Sequence, residues 1–341
     1  MVKSTANIPE LLETINPIYS YPKSSYLIRD KFRFIDLFAG IGGMRLGFSS
    51  PHSQCVFSSE WDSHAQKTYY ANFQEVPTGD INAISPQEIP NHDLLLAGFP
   101  CQPFSSIGRR EGFLHETQGT LFYAIAKILE AKQPISFLLE NVPGLVTHQN
   151  GKTFSIILKA LDELNYDVRY MVLDAADFNL PQRRERIYLV GFKRDYLKQR
   201  IEFEFPRGET NEVFINEFLE KGVSGYSISE HLQKTYLFKK DDGKPQIVDQ
   251  NSRVKVKTLV STYHKIQRLT GTFVRDGETG IRLLTERECK AIMGFPDSFI
   301  FPVSRTQMYR QLGNSVAVPV ISAIAQQIYS SLKQMVRFIR N

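Results

Sequence analysis

The sequence predicts an α/β protein: a doubly wound, mostly parallel sheet with a small β-rich domain attached. Three observations predict it. Continuous apolar runs of strand length alternate with segments of helical period between Phe32 and Gly191. A glycine-rich turn follows the first of these runs, and beyond residue 194 the alternation gives way to short β-prone pieces.

Taken in order, residues 1–30 are polar and broken by prolines, so they read as an arm outside the main fold and not as a secretory signal. FRFIDLF is the first strand and leads into the turn FAGIGG; CVFSSEW is the second, and GDI is expected to end a third. DLLLAGFP and SFLLENV are continuous rather than alternating, as strands covered on both faces should be. TLFYAIAKILEAKQ and KTFSIILKALDELNY are helices, the latter with a stripe of Phe154, Ile157, Leu158 and Leu161. YDVRYMVLDA and ERIYLVGF are two more strands, joined through NLPQRR. This outlines a catalytic and cofactor-binding domain over 31–194. IEFEFP, PQIVD, RVKVKTLV and GTFVRDG then mark a small irregular β-rich domain over 195–280. Residues 281–341 return to helix and close with SVAVPVISAIAQQIYSSLKQMVRF, completing the first domain.

Composition narrows the class. The chain is 42% hydrophobic and 23% charged, as ordinary globular proteins are, and no apolar run reads as a membrane span, so cytoplasmic residence is expected. Three cysteines, none in CxxC spacing, support neither a disulfide framework nor a metal site. A net charge of +5 admits a nucleic-acid partner without requiring one.

Two clusters carry chemistry. In the turn Phe38–Gly43, glycines allow a tight bend and close approach to a ligand, and Glu60 ends the next strand where an acid caps ribose hydroxyls in such folds. Alone, this pattern reads equally as a packing turn or a nicotinamide site. The turn lacks the last glycine of G-x-G-x-x-G, however, and Trp61 is placed to stack on an adenine face. Asp80 suits an exocyclic amine, or is simply a turn carboxylate. The second cluster is GFPCQPFSSIG. Cys101 lies past a strand's C-terminal end, where open α/β sheets place their sites, and is held between Pro100 and Pro103 as a candidate thiolate nucleophile. Glu140 finishes an apolar run, where an acid is costly unless used; it either bonds and protonates a substrate base, or caps the next helix or pairs with an arginine. Arg184 and Arg186 alternate on a strand, and so share a face from which to orient Glu140 or a base carbonyl.

With these residues in place, the sequence resembles the cytosine-C5 DNA methyltransferases of bacterial type II restriction-modification systems. DLFAGIGGMRLGF, SSEWDSHAQKTYYANF, GDI, AGFPCQPFS, the ENV strand, PQRRERIYLVGF, LTERECKAIMGFPDSF and QLGNSVAVPV run in that family's order. The resemblance implies the S-adenosylmethionine-dependent methyltransferase fold, S-adenosylhomocysteine as product, and a final helix returning beside the cofactor turn. It extends the cofactor set from Phe38, Ala39, Gly40, Gly42, Gly43, Glu60, Trp61 and Asp80 to Ile81, Pro100 and Leu121. Asn314, Ser315 and Val316 would then close the methionine end. Residues 195–280 become the target-recognition domain, with Thr258 and Leu259 as the family's TL pair.

The implied mechanism adds the Cys101 thiolate to C6 of a flipped cytosine while Glu140 bonds N3 and the exocyclic amine. The loop after Cys101, with Ser105, Ser106, Arg109 and Arg110, is expected to close over double-stranded DNA. No metal is expected. The protein is expected to be monomeric, with a possible partner endonuclease acting on the same site. The rival within the superfamily is a tRNA cytosine methyltransferase, but that branch typically shows PPCQPFTR and a Cys-Phe-Thr tripeptide, and no cysteine occurs here between 102 and 288. A DNA-binding relative without catalysis and a nicotinamide oxidoreductase are the rivals from other classes.

Overall fold

The computed structural model describes residues 31–100, 121–196, 202–209 and 212–340. The N-terminal arm, Cys101, Ser105, Ser106, Arg109 and Arg110 lie outside the described residues.

Four strands, β1 (Phe32–Leu37), β2 (Ser53–Ser59), β3 (Leu94–Gly98) and β4 (Ser136–Asn141), pair in parallel in the order β2-β1-β3-β4. The sheet continues through β6 (Glu185–Lys193) to β5 (Tyr166–Asp174), both pairings antiparallel. The connection 175–184 is too short for a crossover, so β5 and β6 return as a hairpin on an otherwise parallel sheet. The third strand expected before Asp80 does not form. Thr78 makes only a bridge to Ser59, Pro77 before it has no N–H to donate to a ladder, and Asp80 instead caps the turn Ile81–Ala83.

Alternate residues of each strand serve opposite faces. Phe34, Leu94, Leu96, Leu138 and Val190 pack beneath α1 (Gly43–Phe48) and a long C-terminal helix, Val318–Arg340. Ile35, Leu37, Leu95, Ala97, Phe137 and Leu139 pack on the other side, against α3 (Leu121–Lys132) and α4 (Lys152–Glu163). The remaining helix of this lobe, α2 (Ser63–Phe73), is started by Asp62, whose carboxylate accepts the N–H groups of His64 and Ala65. Each fully buried Leu, Ile or Phe stabilises the fold by about 1.5–3 kcal/mol. The C-terminal helix reaches α1 because glycines face it. A Cβ on Gly43 would come within 2.7 Å of Ser315 Oγ, and one on Gly47 within 2.4 Å of Ile321 Cγ2. By length and hydropathy the stretch Arg305–Gln334 does reach what a bilayer crossing needs, unlike the reading of the sequence, but more than half of its most apolar 18-residue window is buried inside the protein.

The small lobe holds little regular strand among its described residues. Its described strands are three residues each, β7 (Gln246–Val248) and β8 (Thr272–Val274), paired in parallel. Side chains satisfy much of the rest. Arg282, fully buried, meets Glu288 through two 2.8 Å bonds, Asp276 at 3.0 Å and the Glu220 carbonyl at 2.9 Å. Arg268 bonds the Leu237 and Lys240 carbonyls and both carboxylate oxygens of Asp242. The described residues of IEFEFP, 202–206, join no sheet; Phe203 and Phe205 pack on the main core. The lobe's own core joins Ile215, Leu237, Val256 and Phe273 to residues of α5 (Glu286–Met293) and α6 (Arg305–Asn314), the C-terminal helix being α7. Residues on both sides of position 280 therefore share one core.

Candidate active site

The parallel register of β3 and β4 sets Gly98 opposite Glu140. A Cβ on Gly98 would lie 3.2 Å from Glu140 Oε2, so the carboxylate overhangs the glycine. Beyond this pair, Asn141 Nδ2 donates to the Phe99 carbonyl at 2.7 Å, and its Oδ1 accepts from the Val142 N–H at 2.8 Å. The chain thus leaves β3 through exposed Pro100 from beside Glu140, one residue before Cys101. The sequence reading did not single out Asn141; the signal available was a second polar residue ending the same apolar run.

Glu140 is 9% exposed, and Arg186 Nε lies 3.1 Å from its Oε1. Burial pushes the Glu140 carboxyl above its ordinary range, and Arg186, then Arg184, pull it back. Arg184, expected with Arg186 to orient Glu140 or a base carbonyl, spends its guanidinium on main-chain carbonyls instead. It precedes β6, is 2% exposed, and donates to the carbonyls of Leu259 (3.0 Å), Gly313 (3.1 Å) and Ser315.

At the neighbouring strand ends, the turn after β1 is bent through positive φ at Phe38, Gly40 and Gly42. Gly42, at φ 85°, has no room for a side chain, since Phe73 would lie 2.2 Å from its Cβ. Buried Glu60 holds the turn: its carboxylate accepts the N–H groups of Gly40 and Asp62, each at 2.8 Å. Burial raises its pKa, and those two N–H groups oppose the rise. Trp61 follows at 75% exposure. Glu60 N–H also bonds the Thr78 carbonyl, which brings exposed Asp80 and buried Ile81 to the same end of the sheet. Ser315 and Val316 press on Gly43, with Asn314 exposed beside them. Ala39 is buried at the turn, and Leu121 opens α3, half-buried.

Thr258 and Leu259 meet the segment between β5 and β6. Thr258 Oγ1 donates to the Arg183 carbonyl at 2.7 Å, and the Leu259 N–H to Gln182 Oε1 at 2.7 Å. The Leu259 side chain is buried in the small-lobe core. Gln182, fully buried, also donates to the Ile292 carbonyl, and so links three segments. Nothing in its local sequence marks that role.

Comparison with known proteins places this arrangement. The family described as C-5 cytosine-specific DNA methylase matches residues 32–330. The type II methyltransferase M.MspI of Moraxella sp is 61% identical over 89% of this chain and 71% of its own length. M.BsuFI of Bacillus subtilis is also 61% identical, over 86% of this chain and 72% of its own length. The fold is shared more widely. The Entamoeba histolytica methyltransferase EhMeth superposes with a TM-score of 0.70 at 23% identity, covering 89% of this chain and 99% of that one. The Dnmt2 methyltransferase of S. pombe gives 0.69 at 23% identity, over 88% and 99%. The chain belongs to the C-5 cytosine-specific DNA methylase family, and is a DNA (cytosine-5-)-methyltransferase that uses a methyl-donor cofactor.

Proposed function

We propose that the methyl donor is S-adenosylmethionine, and that the acceptor is a cytosine flipped out of a short duplex sequence and attacked at C6 by Cys101. The Gly98–Glu140 register carries this reading, because it sets the segment leading to the nucleophile beside a buried carboxyl already paired with a cation. The turn suits the donor: a Cβ on Gly40 would meet no atom within 4 Å, so the space over it is open. Glu60 is assigned to the ribose hydroxyls, Trp61 to the adenine face, Asp80 to its amine, and Asn314–Val316 to the methionine end. When bound, S-adenosylmethionine supplies an electrophilic methyl carbon.

The chain's residues supply the rest. Thiolate addition at C6 gives C5 the electron density of an enamine, which an aromatic cytosine lacks. Glu140, with its pKa raised, carries the proton that N3 needs as charge develops on the ring. Arg186 fixes the carboxyl's orientation. Loss of the C5 proton to water, expulsion of the thiolate and return of the N3 proton to Glu140 then restore the ring. The protein is proposed to act in the cytoplasm as a monomer, protecting host DNA from an endonuclease that reads the same site.

Bisulfite sequencing of random duplex DNA treated with the protein and S-adenosylmethionine tests this, with a Cys101→Ala control. The expected result is protected cytosines in one short recurring sequence, absent from the control. Protection that survives Cys101→Ala would rule out the covalent route.

A further inference from the structure

Arg184 is the most fully enclosed cation near the active site, and its guanidinium hydrogen-bonds no carboxylate among the described residues. Its main chain is fixed to the catalytic sheet, where its N–H donates to Asp174 Oδ1 at 2.7 Å. From there the fork reaches two ways. Nη1 grips the carbonyl of Leu259 in the small lobe, whose own N–H is held by Gln182. Nη2 grips the carbonyls of Gly313 and Ser315, on either side of Asn314. Ser315 and Val316 in turn rest on Gly43 of the cofactor turn. The two gripped segments also touch directly, since a Cβ on Gly313 would lie 2.2 Å from the Ser261 main-chain N.

We infer that Arg184 is a positioning residue that couples target binding to cofactor binding, as a strut shared by the recognition segment around Leu259 and the segment closing the cofactor turn. The inference rests on the cofactor site proposed above. Three carbonyls are fixed in one planar fork, so neither segment shifts without straining a bond to the other. Letting go is costly, because it strands a cation away from water; burial already lowers the Arg184 pKa to about 9. A ligand that settles residues 313–316 therefore settles Leu259 as well, and the effect is reciprocal.

The test measures affinity for a fluorescent duplex carrying the methylated site, with and without S-adenosylhomocysteine. Wild-type protein is expected to bind that duplex about 5-fold or more tighter with S-adenosylhomocysteine present, within the usual range of coupling between sites. In Arg184→Met the factor is expected to fall to near one, while calorimetric affinity for S-adenosylhomocysteine alone changes far less. Arg184→Lys, which keeps the charge but not the fork, is expected to fall between. A loss confined to stability or overall activity would leave the coupling factor unchanged, and that outcome overturns the inference. So does a wild-type protein that binds both ligands independently. Wild-type protein that binds no S-adenosylhomocysteine overturns the cofactor reading itself, and this inference with it. Should Arg184→Met not fold, hydrogen exchange on the wild type decides: without DNA, S-adenosylhomocysteine should slow exchange at the amides of Leu259 and Ser261, and unchanged exchange there refutes the strut.

Discussion

Glu140 is held between two influences of opposite sign. Burial favours its neutral form and Arg186 favours the anion; burial dominates, so the proton persists to higher pH than on an ordinary glutamate. In the proposed route, bonding to N3 would use the protonated acid and attack the ionised Cys101 thiol. Methyl transfer should therefore rise with thiol ionisation and fall as Glu140 loses its proton. Glu140→Gln should lower single-turnover methyl transfer by about 100-fold or more and erase the falling limb of the pH profile. A falling limb that survives in Glu140→Gln would assign it to another group. His92 shows the same physics applied to stability. Burial lowers its pKa to about 4, with Nδ1 against the Pro90 carbonyl. Below pH 6.5 the unfolded chain takes up a proton that the folded chain refuses, so stability is lost as pH falls from 6.5 towards 4. The full loss is ~3 kcal/mol. Denaturation midpoints across that range should fall less steeply in His92→Gln than in the wild type.

At the scale of elements, legibility follows the source of each constraint. β3 and β4 are visible in the sequence because burial on both faces makes Leu94–Ala97 and Phe137–Leu139 continuously apolar, and the turn after β1 because glycine adopts the positive φ of positions 40 and 42 without strain. Glu140 is legible as an acid ending such a run. The small lobe is not, because its shape is set by individual side chains bonding main chain far away in sequence, which leaves no period. Gln182 reaches across 110 positions to Ile292, and Arg184 across 129 to Gly313. IEFEFP alternates like a strand, yet its described residues supply Phe203 and Phe205 to the main core without pairing in the sheet. The clearest of these organisers is Arg282, which binds Glu288 where water does not reach. Arg282→Met leaves that carboxylate unpaired and should destabilise the protein by about 3–5 kcal/mol. Arg282→Met combined with Glu288→Leu should recover much of the loss, since the desolvation cost of both charges then disappears. Equal destabilisation in the single and double variants, read from urea midpoints, would contradict this account.

Across the whole molecule, the main sheet and the small lobe meet at one edge. The sheet's strand ends carry Glu140, Glu60 and the glycine turn, and the small lobe arrives at that edge through Thr258, Leu259 and Gln182. The glycine turn after β1 also depends on α7, which lies over α1 and supplies Ile321 against Gly47 and Tyr329 against the Phe48 carbonyl, 281 positions away in sequence. That separation has a consequence for how the protein comes into being. As the chain emerges from a ribosome, the face of β1 and α1 bearing Phe34, Met44 and Phe48 stays without its cover while every element between α1 and α7 is made. Helices α3 and α4 follow their strands closely and can close the opposite face early. The glycine turn is therefore completed late in synthesis, and a nascent chain stalled before α7 presents a bare apolar surface to chaperones and proteases rather than a half-active enzyme.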